Sequence, residues 1–451
     1  MILKNHKLFT LISLGCPKNQ VDSERILGVL GAHGFVYTQD LSRASIIIIN
    51  TCAFIEAAVK ESLANILDVH EENPSALLVV AGCLPLRYQE KLNELLPEVD
   101  IFVRPDNIPH LPDLIRGTIL AAGESAPILS ETVSSPAPSD GDELNIPRTL
   151  TTRGYAYLKI AEGCSRRCRY CTIPSIRGAF RSFSPQALEN EAVFLSDRGV
   201  RELVLVAQDL TAYGTDIPDS GGLVHLLERL QRIQGLEWIR LMYLYPTKIP
   251  KDLPHVIRNS DKILPYLDIP FQHVSAKVLR AMGRPGKRDH IQRLVDKLRK
   301  EIPGLVIRTT FMVGYPAEGE REFQELRDFV VSNCLEHVGV FVYSSEEGTP
   351  ANRVKDKIDR KTKYLRAKEL QRIHSEQVRR RNLSRLGRIE RALIEGVSSE
   401  TEFLLQGRTW DQAPEVDGVL YITAGNAEMG QVHSVRLTHF HGMDLFGEIC
   451  S

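Results

Sequence analysis

The sequence predicts an α/β chain in three structured parts: a parallel sheet flanked by helices, a partial (β/α)6 barrel, and a small closed β-barrel. Three patterns carry this prediction. Short runs of Ile, Leu and Val alternate with segments of helical periodicity, once before residue 123 and again after residue 152. A stretch rich in Ser, Pro, Glu and Asp separates the two. After Ile389 the pattern changes to short strands broken by Gly-rich turns.

In the first part, residues 1–122, strands are predicted at 8–14, 45–49 and 76–80, with helices at 22–33 and 57–70 between them. Such alternation builds a flavodoxin-like parallel sheet, whose C-terminal strand ends share the edge where ligands bind. Cys16, Cys52 and Cys83 each follow a strand, in LISLGC, IIIINTC and LVVAGC. Convergence at that edge makes them candidate metal ligands, while single cysteines after apolar strands equally read as small buried hydrophobes. Lys4 and Lys7 precede the first apolar stretch, which ends at Gly15-Cys16. The stretch is short and Pro17-Lys18-Asn19 follows at once, so it reads as a strand and not as an export signal.

Residues 123–152 read as a linker, because few of them can fill a core. From 153 to 352 six strand segments recur: AYLKIAEG, ELVLVAQD, WIRLMYL, YLDIPF, VIRTTFMVG and VGVFVYS. Helical patterns at 186–197, 223–233, 290–302 and 320–334 lie between them. The span falls short of the roughly 250 residues of an eight-unit barrel, which leaves six units. Residues 353–387 form a basic, helical connector, and 388–451 hold five short strands. The stretch from Arg353 to Arg388 has fourteen Lys or Arg against four acidic residues; from Arg388 onward there are four Arg and ten acidic residues.

Composition excludes several classes. Hydrophobic residues make up 43 % and charged residues 25 %, close to the globular average. Apolar runs such as Ile46 to Ile49 are far too short to span a bilayer. With 56 Lys and Arg against 57 Asp and Glu, no overall basic excess points to nucleic acid. Eight cysteines are too few for a disulfide scaffold in 451 residues, so a reducing, cytoplasmic setting is expected.

Three of the eight fall together, as Cys164-Ser-Arg-Arg-Cys168-Arg-Tyr-Cys171, just after the first barrel strand, where barrel enzymes place their chemistry. Structural zinc normally takes four protein ligands, and no fourth His or Cys lies nearby. Three thiolates on a four-iron cluster leave one iron open to a substrate or cofactor. Zinc and iron–sulfur chemistry both remain readings of the spacing.

The CxxxCxxC spacing with Tyr170 before its last cysteine resembles the radical S-adenosylmethionine superfamily. SLGCPKNQVDSE, NTCAFIEAAVKES, AGCLP, YAYLKIAEGCSRRCRYCTIPSIRG and GRTWDQAPEVDG are similar to signature segments of its methylthiotransferases, over nearly the whole chain. That resemblance implies a 4Fe-4S cluster on Cys164, Cys168 and Cys171 that binds and cleaves S-adenosylmethionine. It also implies an auxiliary 4Fe-4S cluster on Cys16, Cys52 and Cys83, a backbone contact of Tyr170 with the cofactor's adenine (simple packing against the cluster loop being the plainer reading of that residue), and a terminal barrel of the TRAM, OB-like type. No catalytic residue beyond the cluster ligands is implied. The resemblance further implies that one S-adenosylmethionine supplies the methyl group and a second is cleaved to remove a hydrogen.

Within the family, Pro17-Lys18-Asn19 after the first cysteine and Ile173-Pro174-Ser175 after the last resemble the branch that modifies an aspartate of a small-subunit ribosomal protein. The tRNA-adenosine branch has Gln-Met-Asn at the first position. The implied partners are that ribosomal protein, within its subunit, and an electron donor; neither membrane nor tRNA binding is expected. The acidic terminal barrel suits a basic protein partner, whereas the basic connector reads either as an RNA-docking face or as a solvated helix.

The remaining candidates are plainer. Gln208-Asp209 reads as a cofactor contact or a loop cap. Gly314-Tyr315-Pro316 shapes the same barrel face. Cys334 is expected in the core, and Cys450 is simply near the end.

Overall fold

The computed structural model describes residues 7–89, 91–122, 146–355, 358–398 and 400–450. Most of the sequence-predicted linker, 123–145, lies outside them. The chain forms two compact units. The first holds residues 1–151, 162–165 and 171–187, and the second holds the rest.

In the first unit, β1 (Leu8–Ser13), β2 (Val36–Tyr37), β3 (Ile46–Thr51), β4 (Leu77–Gly82) and β5 (Ile101–Val103) make a parallel sheet of order β2-β1-β3-β4-β5. This is the flavodoxin-like order, with its reversal between β1 and β3. Every residue of β3 is buried, as a central parallel strand covered on both faces requires. Ile46 and Ile48 pack with Phe9, Ile26 and Leu111 on one face. Ile47 and Ile49 pack with Ile66, Val69 and Leu84 on the other. Helix α1 (Pro17–Ala32) starts with Cys16 at its N-cap and Pro17 at its first position, where proline's missing N–H costs nothing. Helix α2 (Glu56–Glu72) follows β3, and the short α3 (Cys83–Tyr88) follows β4.

In the second unit, six parallel strands lie in sequential order: β6 (Tyr155–Lys159), β7 (Glu202–Val206), β8 (Trp238–Leu241), β9 (Ile263–Asp268), β10 (Val306–Val313) and β11 (His337–Val342). This is the sequence-predicted six-unit partial barrel. A helix, Arg360–Arg385, then leads to β12 (Ile389–Val397), β13 (Leu405–Thr409), β14 (Leu420–Ala424), β15 (Val432–His441) and β16 (Asp444–Ile449), which close a barrel.

Several elements differ from the sequence-based expectation: the helix expected at 22–33 already starts at Pro17, and β2 and β5 fall where no strand is expected. The connector helix begins at Arg360 because the Asp359 side chain accepts the Thr362 N–H and caps it there. β13 begins at Leu405, not at Glu402, and Phe403 is left 87 % exposed. Gly407 lets the strand approach β12, since a Cβ there would lie 2.1 Å from the Leu393 carbonyl oxygen.

Candidate functional site

The register of the first sheet brings Cys16, Cys52 and Cys83 together. Ser13 pairs with Asn50 and Thr51 with Gly82, so the residues that follow leave the sheet side by side. Leu14 N–H donates to the Asn50 carbonyl at 2.9 Å and carries the first turn toward Cys52. A Cβ on Gly15, whose φ is +99°, would lie 2.7 Å from the Cys52 Cβ. Gly82, at φ +93°, is as tightly placed, because a Cβ there would meet Asn50 Oδ1 at 2.4 Å and the Thr51 carbonyl at 2.5 Å. Both glycines therefore stand where no other residue fits.

Side chains lock these turns. Asn19 Nδ2 donates to the carbonyls of Leu14 and Thr51 at 2.9 and 2.8 Å. Asn50 Nδ2 donates to the Asn19 carbonyl and to Ser23 Oγ at 2.7 and 2.8 Å. Cys52 N–H donates to Ser62 Oγ, whose hydroxyl returns a bond to the Cys52 carbonyl. Burial pushes the Cys52 thiol up to about 11. Burial likewise raises Cys83, against the pull of Arg177.

Arg177 is the largest surprise in this unit. It follows a one-turn helix, Ile173–Ile176, and Ile176 sits in the same core as Ile47 and Leu84. The Arg177 side chain is 2 % exposed. Its Nε and Nη2 both donate to Cys83 Sγ at 3.3 Å. Nη2 also reaches Asn19 Oδ1 at 2.6 Å, and Nη1 pairs with Asp22 and Glu162, each at 3.2 Å. Burial opposes its charge, but Glu162, Cys83 and Asp22 outweigh that cost and hold the guanidinium protonated.

The second cysteine set is held by separate contacts in each unit. In the first unit, Cys164 N–H donates to the Gly178 carbonyl at 3.0 Å, and Gly163 abuts Ala179 too closely for any Cβ. Thr172 Oγ1 donates to the Phe54 carbonyl at 2.9 Å, just after Cys171. In the second unit, Arg284 Nη1 lies 3.7 Å from Cys168 Sγ and 3.4 Å from the Tyr170 hydroxyl, while its Nη2 donates to the Pro270 carbonyl. Burial works against the Arg284 charge, and Tyr170 and Cys168 sustain it. The Arg284 and Arg166 guanidinium groups lie 4.5 and 4.3 Å from the Tyr245 ring centroid.

Among the described residues, no group of His, Cys, Asp and Glu closes around a single metal ion. A four-iron cluster spaces its ligands differently, since each thiolate bonds its own iron. Three thiols with polar and cationic neighbours, and no carboxylate among the three, make a soft donor set that suits iron–sulfur.

Comparison with known proteins agrees along the whole chain. Residues 8–104 match the uncharacterized protein family UPF0004, 158–330 the Radical SAM superfamily and 386–450 the TRAM domain. The ribosomal protein uS12 methylthiotransferase RimO of Geotalea uraniireducens is 44 % identical over 98 % of both chains. The protein of that name from Trichlorobacter lovleyi is 43 % identical over 98 % of this chain and 97 % of its own. The chain belongs to the RimO family. A solved structure, the radical S-adenosylmethionine methyltransferase TsrM of Kitasatospora setae, shares the fold with a TM-score of 0.54, at 13 % identity over 74 % of this chain and 75 % of that one.

Other RimO-family candidates fall out as follows. The Tyr170 ring packs with Val278, Met282, Tyr315 and Tyr343. Asp209 is a loop cap, accepting from Thr211 N and pairing with Arg166 Nε at 2.6 Å. Gly314 N–H donates to the Glu318 carboxylate at 3.1 Å, and Tyr315 OH donates to the Ala281 carbonyl. Cys334 is a correction: it is exposed, not in the core. The preceding helix ends at Asn333, and Cys334 adopts a left-handed conformation at φ +44°, which turns it off the apolar face.

GRTWDQAPEVDG has a clear role in the second unit, at the N-terminal end of the partial barrel. Arg408 Nη2 pairs with Glu202 Oε2, and Arg240 Nε with Glu202 Oε1, both at 2.6 Å. Asp417 accepts from the Tyr266 hydroxyl and Arg308, and Asp411 pairs with Arg381 and Arg385 of the connector helix. Asp411 and Asp417 are buried. The acidic excess of the terminal barrel is thus partly spent inside the molecule, which weakens charge as an argument about its partner.

Sequence reasoning missed Arg177, Arg284 and the Asn19/Asn50 pair. The one signal available was the glycine before Cys16 and before Cys83.

Proposed function

We propose that this chain adds a methylthio group to the β-carbon of an aspartate in ribosomal protein uS12, by radical S-adenosylmethionine chemistry. The observation that carries this reading is the convergence of Cys16, Cys52 and Cys83 at the sheet edge of a chain that also holds the Cys164/Cys168/Cys171 motif. The named relatives support uS12 over tRNA as the substrate.

Bound to these two thiol sets, 4Fe-4S clusters would supply one-electron cleavage of S-adenosylmethionine and a sulfur for transfer. The residues do the holding. Cys16, Cys52 and Cys83 would ligate one cluster, with Arg177 bonded to a ligand sulfur. Cys164, Cys168 and Cys171 would ligate the other, with Arg284 beside Cys168 and Tyr170 near the adenine. Asp209 and Arg166 keep the neighbouring loop in place.

No helix among the described residues is long and apolar enough to cross a membrane. We place the enzyme in the reducing cytoplasm, served by an electron donor and acting on uS12 within the small ribosomal subunit.

Mass spectrometry of cells with and without the gene tests the proposal on the uS12 loop peptide and on digested tRNA in parallel. Loss of one methylthio mass from the aspartate peptide, with tRNA unchanged, is the expected result. Loss from a tRNA adenosine would overturn the substrate. Purified protein holding zinc without sulfide would overturn the chemistry.

A further inference from the structure

Arg177 is an expensive residue to place where it stands. A guanidinium in the interior loses its hydration, and only well-aimed partners offset that loss. Its contacts include two to Cys83 Sγ, one to Asn19 Oδ1, one to Asp22 and two to the Glu162 carboxylate. The two carboxylates lie on Nη1 and aim the fork, so that Nε and Nη2 point together at one sulfur. A salt bridge serving stability alone has no need to spend two donors on a thiol, which is a weak acceptor. Once the sulfur carries charge as a cluster ligand, the same two bonds become charge-assisted and roughly twice as strong.

We propose that Arg177 is a positioning residue of the first thiol set: it fixes the Cys83 sulfur through two N–H···S bonds and raises the reduction potential of the cluster bound there. This rests on the reading of Cys16, Cys52 and Cys83 as cluster ligands. Hydrogen bonds to the sulfurs are among the levers that set such potentials, because they stabilise the more negative, reduced state. Glu162 opposes that effect by drawing on the same guanidinium. The tuning residue lies six positions after Cys171, so a single short segment carries a ligand of one proposed cluster and the sulfur-bonding group of the other.

The two acidic and basic partners give a test of opposite signs, which a purely structural role would not reproduce. The full-length chain with Cys164, Cys168 and Cys171 replaced by Ala is reconstituted anaerobically with iron and sulfide and titrated with dithionite under EPR. About four irons per chain are expected, all on the first site. Arg177→Gln is expected to shift the midpoint to lower potential, with Arg177→Lys between it and the parent. Glu162→Gln is expected to shift it upward. A fully loaded Arg177→Gln with an unchanged midpoint overturns the proposal. If Arg177→Gln holds no iron, Glu162→Gln decides: an upward shift supports the proposal, and no shift overturns it. A parent without iron, or one whose iron survives Cys83→Ala, overturns the ligand assignment itself.

Discussion

At the edge of the first sheet the thiols come from residues 16, 52 and 83, whereas residues 164, 168 and 171 fall within eight consecutive positions. Strand register holds the first set: two residue pairs, Ser13 with Asn50 and Thr51 with Gly82, place all three turns. The second set is held by loop contacts, the Cys164 N–H to the Gly178 carbonyl and the Arg169 N–H to the Met282 carbonyl. Each set nonetheless has one buried arginine beside one sulfur, Arg177 at Cys83 and Arg284 at Cys168. The comparison teaches that a site can be preorganised by a sheet without leaving a local motif, while a site on one loop leaves a motif and needs outside contacts for its shape.

The largest effect should separate the two sets functionally. Cys164→Ala is expected to lose both 5′-deoxyadenosine formation and methylthiolated product, measured by chromatography and mass spectrometry. Cys52→Ala should keep cleavage and lose the product. Full product from Cys52→Ala would break the comparison at its root.

A smaller effect lies at the far end of the partial barrel. Arg408→Met removes one of two arginines from buried Glu202 and leaves Glu395 without its partner. The expected cost is about 3–5 kcal/mol in denaturant unfolding, with iron loading of the Cys16/Cys52/Cys83 site unchanged in the protein that remains folded. Loss of that iron would show that the charge cluster at Glu202 also supports the first thiol set.

Next come the glycines. Gly82→Ala should cost about 2–4 kcal/mol, from the steric conflict and the positive φ together, and lower the iron at the first site. Gly178→Ala, at φ +72° with nothing within 4 Å, should cost only about 1–2 kcal/mol. Equal costs would mean that the close approach at Gly82 relaxes easily.

A pH dependence in the second unit offers a further test. His374 Nε2 accepts the Val338 N–H at 3.1 Å, and burial holds its pKa down to about 4, against an ordinary 6.5. As pH falls below 6.5 the unfolded chain takes up this proton first. Stability should therefore decline between pH 6.5 and about 4 and show no further contribution from this group below that. His374→Gln should flatten that part of the profile in thermal unfolding.

Much of this architecture was legible in the sequence. The segment 45–49 reads as a strand because four successive isoleucines have no polar face, and the strand forms at Ile46–Thr51; the motif at 164–171 declares itself by spacing. The convergence of Cys16, Cys52 and Cys83 was legible only through fold logic, since residues thirty apart meet when strands align. Arg177 was not legible at all: an arginine in SIRG looks like any surface residue until the chain folds it against Cys83. Cys334 misled for a related reason, because a helix's apolar periodicity says nothing of the residue that ends it in a left-handed turn.

Joined by a helix, the terminal barrel looks like a detachable module, free to be exchanged between enzymes. Its Arg408, Asp411 and Asp417 argue otherwise, since they complete charge pairs begun by Glu202, Arg308 and the connector helix. A chimera that swaps this barrel must import those three side chains along with whatever recognition face is wanted. Without them, the recipient would inherit orphaned ions in its own interior.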